Sequence, residues 1–166
     1  MRLPRLATGL ALVLAVAPAR AQSSPLGYWQ TRDGGGVVQV TRCGDALCGH
    51  LAGIVLDHPN DKMPTDWQGV SQCHLPLISN AQQVEANLWR GKITDPRNGH
   101  VYGVELHVDS GGRLAVRGYL GIALFGQTDY WTRFRAVPPA DCRMTLQEAI
   151  AGGRVPSSGP GGPPAD

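Results

Sequence analysis

Charge is scarce in this chain. Of its 166 residues, 17% are Asp, Glu, Lys or Arg, against about a quarter in an average globular protein. With 42% hydrophobic residues, that composition excludes wholesale disorder and a coiled coil. Basic residues are scattered, which argues against a polybasic membrane patch and against phosphate steering. There is no Gly-x-Ser-x-Gly elbow, no His-x-His, and no His-Glu-x-x-His. The glycine run at 33–36 lacks the Lys-Ser/Thr of a phosphate-binding loop, so it reads as a hairpin turn. Past residue 21 no apolar run reaches the roughly 20 residues that span a bilayer. The length suits one domain, large enough to bury a core without a metal to hold it together.

What is present begins with an address. Residues 1–21 read as a secretory signal peptide: Arg2 and Arg5 give a positive start, 6–18 is the apolar middle, and Ala19-Arg20-Ala21 is the small-x-small cleavage pattern. Removing it takes away Arg2, Arg5 and Arg20, so the 15 basic residues fall to 12 against 13 acidic ones, a net charge of −1. A nearly neutral domain lacks the footprint of a nucleic-acid binder. The expected location is periplasmic or secreted, with no transmembrane segment after signal removal.

All four cysteines, Cys43, Cys48, Cys73 and Cys142, fall after the signal. An even count in an exported chain argues for two disulfides. Of the three connectivities, Cys43–Cys48 with Cys73–Cys142 is favoured: the first clips a tight turn, the second ties the middle of the chain to its end. A zinc site is the rival reading, since His50 and His74 neighbour Cys48 and Cys73. Cys-x4-Cys is an unusual zinc spacing, so the expectation is no metal.

From residue 28 onward the sequence reads as strands and turns. Strand-like runs cover 28–32, 37–42, 47–55, a short 75–78, 84–94, 101–109, a run after Gly112, and 127–135, with a long loop at 57–71. Along 101–109, Tyr102, Val104, Leu106 and Val108 share one face while Gly103, Glu105 and His107 share the other. In the next run Leu114, Val116 and Leu120 oppose Arg113, Arg117 and Tyr119. Such spacing predicts an all-β antiparallel sandwich or barrel. Thr145-Leu146-Gln147-Glu148 is a capping box opening a short helix. The expected organisation is a signal at 1–21, a β domain at 22–143, a helix at 144–151 and a disordered Gly/Pro-rich tail at 152–166.

Gly27-Tyr28-Trp29 near the start and Trp131-Thr132-Arg133 near the end resemble the lipocalin (calycin) group. There a first-strand Trp closes one end of a barrel under a late basic residue, a cation–π seal. A more specific resemblance is to the exported bacterial family known as domain of unknown function 2147. It rests on Gly27-Tyr28-Trp29, Cys43-Gly44, Leu47-Cys48-Gly49, Gly91-Lys92-Ile93, Asp95-Pro96, Gly99 and Tyr102. It continues through Val116-Arg117-Gly118-Tyr119-Leu120-Gly121 and Leu124-Phe125-Gly126-Gln127-Thr128 to Trp131 and Arg133. The resemblance implies an up-and-down, lipocalin-like eight-stranded barrel, closed by Trp29 and Arg133, and export; it implies no reaction. Cys73 and Cys142 depart from the family pattern, which fits a bridge particular to this branch.

An eight-stranded barrel either fills with side chains or holds one small ligand. The second outcome would line a pocket with Trp89, Tyr102, Val104, Leu106, Tyr119 and Trp131, anchored by Glu105 or Arg117. Asp95, Glu105 and Asp129 show no pattern placing two carboxylates face to face, and the five histidines show no ligand spacing. The expectation is therefore an exported barrel for a small apolar or amphipathic ligand, without catalytic residues or cofactor. The alternative is an envelope interaction or structural module with a filled barrel, its protein partner unknown.

Overall fold

The computed structural model describes residues 24–153. The expected signal segment lies outside the described residues, and so does the expected tail from 154 onward. Eight strands follow one another: β1 (Gly27–Gln30), β2 (Gly36–Cys43), β3 (Ala46–Val55), β4 (Pro76–Glu85), β5 (Leu88–Thr94), β6 (Val101–Val108), β7 (Leu114–Tyr119) and β8 (Gln127–Phe134). Each pairs antiparallel with its sequence neighbour, and β1 also pairs with β8, which closes the barrel. A short β9 (Arg143–Met144) adds parallel to β3, and helix α1 (Leu146–Gly153) follows it.

Alternation sets the two faces. Across β5 and β6, Trp89 pairs with Leu106 and Gly91 with Val104 on the inner face, while Arg90 pairs with Glu105 and Lys92 with Gly103 on the outer. Three indoles, Trp29, Trp89 and Trp131, are 0–6% exposed and share the interior with Leu47, Ile78 and Leu106. Met63, from the long loop 56–75, packs on the same cluster. The lumen is therefore occupied by side chains, each large one contributing about 1.5–3 kcal/mol by burial. A second, smaller cluster joins Val37, Phe134, Met144 and Ala149; there β9 and α1 cover part of the wall.

Three local expectations need correction. The run 84–94 is not one strand: β4 continues to Glu85 and turns at Ala86-Asn87 into β5. Asn87 fixes that turn by donating to the Val108 carbonyl at 2.8 Å. The helix runs two residues later than the sequence suggests, with Met144 in β9. The capping box does form, Glu148 Oε2 accepting from the Thr145 amide at 2.8 Å, but Gly152 and Gly153 belong to the helix rather than a tail. Gly152 is buried, and a Cβ there would come 2.1 Å from the Phe134 ring, so only glycine permits this close approach. Finally, Leu120 does not share the inner face with Leu114 and Val116. β7 ends at Tyr119, and Leu120 is 72% exposed.

Candidate functional site

At the end of the barrel where β1 begins, the Arg133 guanidinium lies 3.7 Å from the centroid of the Trp29 ring. Its nitrogens donate to the carbonyls of Leu26 at 2.5 Å and Ser24 at 2.7 Å. The Trp29 indole N–H donates to the Pro25 carbonyl at 2.7 Å, so the buried indole leaves no polar atom unsatisfied. Burial, and secondarily the nearby Arg135 charge, lowers the pKa of Arg133. Chemically this is a lid, with its groups committed to the backbone.

The opposite end differs. After β7 the chain runs through a 3-10 turn (Ala123–Phe125). Arg117, on the outer face of β7, holds that turn. Its Nε donates to the Ala123 carbonyl at 2.7 Å, Nη2 to the Leu124 carbonyl at 3.0 Å and Nη1 to the Thr128 hydroxyl at 2.9 Å. The braced loop leaves Leu120, Ile122, Leu124 and Phe125 in solvent, 57–79% exposed. Four large apolar side chains on one short, ordered loop are unusual for a soluble surface.

A cleft of about 550 Å³ adjoins this loop on the outer wall across β4 to β7, lined by Asn80, Gln82, Arg90, Lys92, Tyr119 and Leu120, with Val101 at its edge. Register builds it: Lys92, Gly103 and Tyr119 lie side by side on three neighbouring strands. The Tyr119 ring lies over Gly103, where a Cβ would come within 2.5 Å of it. Arg90 pairs with Glu105 at 2.7 Å, and the hydrogen bond it donates to that carboxylate raises the Arg90 pKa. Among the described residues Lys92 makes no ion pair. The cleft thus offers a cation, side-chain amides and a phenol beside exposed apolar groups.

The residues expected to line one pocket therefore divide. Trp89, Val104, Leu106 and Trp131 are packed in the interior, and Tyr102 is half-buried. Tyr119 lies in the outer cleft with Glu105 behind it on Arg90, and Arg117 is bound to the loop. Sequence reasoning missed Asn80, Gln82, Lys92, Val101 and the apolar loop. The i, i+2 spacing of Arg90 and Lys92 on one strand face was the available signal. The carboxylates weighed for catalysis are each held by an arginine: Asp95 by Arg97 at 2.7 Å, Glu105 by Arg90, and Asp129 by Arg32 at 3.1 Å. The Arg97 hydrogen bond holds the Asp95 carboxyl below its ordinary range.

Both bridges have the favoured pairing, Cys43–Cys48 and Cys73–Cys142. His74 stands beside the second, and its ring centroid is 5.9 Å from that of His50. Burial, and secondarily the neighbouring His74, lowers the pKa of His50. No helix among the described residues is long and apolar enough to cross a membrane.

Comparisons with known proteins agree with this architecture. The family described as "Uncharacterized protein conserved in bacteria (DUF2147)" matches residues 27–133. No curated protein sequence matches significantly. Among solved structures, protein HP1028 from Helicobacter pylori, described as belonging to the lipocalin family, superposes with a TM-score of 0.55 at 18% identity. The match covers 65% of this chain and 81% of that one, a likeness of fold.

Proposed function

The chain belongs to the bacterial family DUF2147, and on that premise we propose that it is an exported, non-catalytic binding protein. Its ligand is a small amphipathic anion, taken on the outer wall of the barrel rather than in the lumen. The observation that carries this reading is the cleft in which Lys92 and Arg90 adjoin Leu120 and Val101. Lys92 meets the anionic head, Asn80 and Gln82 supply hydrogen bonds, and the apolar part lies along Val101 and Leu120. Two disulfides and the leader-like segment 1–21 support export to a periplasmic or extracellular space. Engagement of Asp95, Glu105 and Asp129 with arginines supports a role without acid–base chemistry.

A dansyl-labelled fatty acid tests the site. Saturable binding is expected, weakened several-fold by Lys92→Gln and by Leu120→Asn, with Trp89→Phe, an interior change, leaving it unaltered. Binding that ignores the first two variants but responds to the third would return the ligand to the lumen. A second reading is favoured by the filled interior: an envelope module whose loop 120–126 meets a protein partner. It predicts that the wild-type protein does not bind the fatty acid, and that a copurifying protein is lost in Phe125→Ser.

A further inference from the structure

Where loop 56–75 returns to β4, the His74 imidazole lies against the Cys73–Cys142 bridge, with the His50 ring next to it. Both ring nitrogens of His74 lie 3.9 Å from Cys142 Sγ. The ligand atoms of Cys73, His74 and Cys142 all fall within 4.8 Å of one another, and the His50 ring is tilted 58° to that of His74 at 5.9 Å between centroids. Cys142 is buried, Cys73 and His50 are half-buried, and His74 is exposed. His74 and Cys142 hold φ angles of 61° and 60°, the left-handed region that non-glycine residues enter only when their surroundings impose it. The surrounding frame includes the pairing of β9 with β3 and the Arg143 guanidinium on the carbonyls of Pro59 and Asp61 at 3.1 and 2.8 Å. These contacts around the cluster do not involve the sulfur–sulfur bond.

We propose that reduction of the Cys73–Cys142 bridge converts this cluster into a zinc(II) site, with the two thiolates and His74 as its protein ligands. Thiolate and imidazole are the ligands zinc prefers, and Zn–S and Zn–N bonds of about 2.3 and 2.0–2.1 Å put sulfur and nitrogen roughly 3.6 Å apart in a tetrahedron. The 3.9 Å nitrogen–sulfur separations here are close to that value, and the two sulfurs part once their bond is cut. In the tautomer that donates from Nε2 to the Ala140 carbonyl at 3.0 Å, His74 keeps Nδ1 for the metal. That outer hydrogen bond is the arrangement by which metal-binding imidazoles are oriented.

The reductant is a dithiol. One of its thiolates attacks Cys73 Sγ, the more accessible sulfur, and the bond to Cys142 breaks. Cys142 departs as a thiolate beside His74 and takes up a proton. The second thiol of the reductant then displaces Cys73, and the reductant leaves as a disulfide. Two electrons have passed to the bridge, and zinc binding releases the two thiol protons.

Cobalt(II), a spectroscopic stand-in for zinc, tests this in the full mature chain carrying Cys43→Ser and Cys48→Ser, so that every thiolate signal belongs to Cys73 and Cys142. After dithiol treatment, a thiolate-to-cobalt charge-transfer band is expected at one equivalent, displaced by zinc. His74→Ala should weaken zinc by about tenfold or more, while the unreduced protein shows no such band. Near-UV circular dichroism of the buried tryptophans is followed in the same samples. Absence of the band, equal binding before and after reduction, or loss of the near-UV signal on reduction would each overturn the proposal.

Discussion

Arg133 and Arg117 sit at opposite ends of the barrel and handle apolar surface in opposite ways. Arg133 covers the face of Trp29, an indole with no exposed area, and ties the incoming chain to it through Leu26 and Ser24. Arg117 makes three hydrogen bonds to the two of Arg133, but to the backbone of loop 120–126 and to Thr128, and the loop's leucines and phenylalanine face solvent. One arginine completes a core; the other orders a surface that contributes nothing to a core. Burial explains the first arrangement by itself. The second holds the exposed apolar groups in a fixed geometry, a cost in ordering that folding alone does not recover.

If the closed end is structural, its groups carry the largest stability effects. Trp29→Ala should lose about 3–5 kcal/mol in denaturant unfolding, the range for deleting a buried aromatic. A loss below about 1 kcal/mol would mean that the barrel bottom is not sealed by this indole. The bridges separate by loop length. Cys73 and Cys142 are 69 residues apart and Cys43 and Cys48 only 5. Replacing each pair with serine should cost about 4 and 2 kcal/mol respectively in the chain-entropy account. Equal costs would assign their effect to local contacts instead. Arg133→Leu should cost about 1–2 kcal/mol, combining the lost cation–π contact with two unmet carbonyls.

The same contrast explains what could be read from the sequence. The inner face of β6 was legible because Tyr102, Val104, Leu106 and Val108 alternate with polar residues or glycine and a regular register follows. Strand β4 was not: its Ser79-Asn80 and Gln82-Gln83 stretches look like loop, and the register shifts between Ser79 and Gln82 and again between Gln83 and Glu85. Asn80 takes a φ of 48° within that irregular stretch. Leu120 misled because alternation was carried one residue past the end of a strand that Arg117 helps to turn. The cleft was hidden for a different reason. Asn80, Lys92 and Tyr119 come from three strands, and only the register brings them side by side. An even cysteine count behind a leader-like first segment sufficed for the disulfides, whereas the approach of His50 to His74 depends on how loop 56–75 returns to the barrel.

The braced end yields the smaller stability effects, and these distinguish it most sharply. Arg117→Ala leaves one exposed and one partly buried carbonyl on a surface loop, so stability should fall by only about 1 kcal/mol. Amide hydrogens across 120–126 should nevertheless exchange much faster in hydrogen–deuterium exchange, while those of β6 remain protected. Phe125→Ser should change unfolding stability by less than about 0.5 kcal/mol, because a side chain 79% exposed in the folded state loses almost no burial. A loss above about 1 kcal/mol would show that Phe125 belongs to the packing of the fold, and the distinction between the two ends would fail. Near-neutral stability together with unchanged protection of β6 would leave the loop as an ordered apolar surface that the barrel itself does not need.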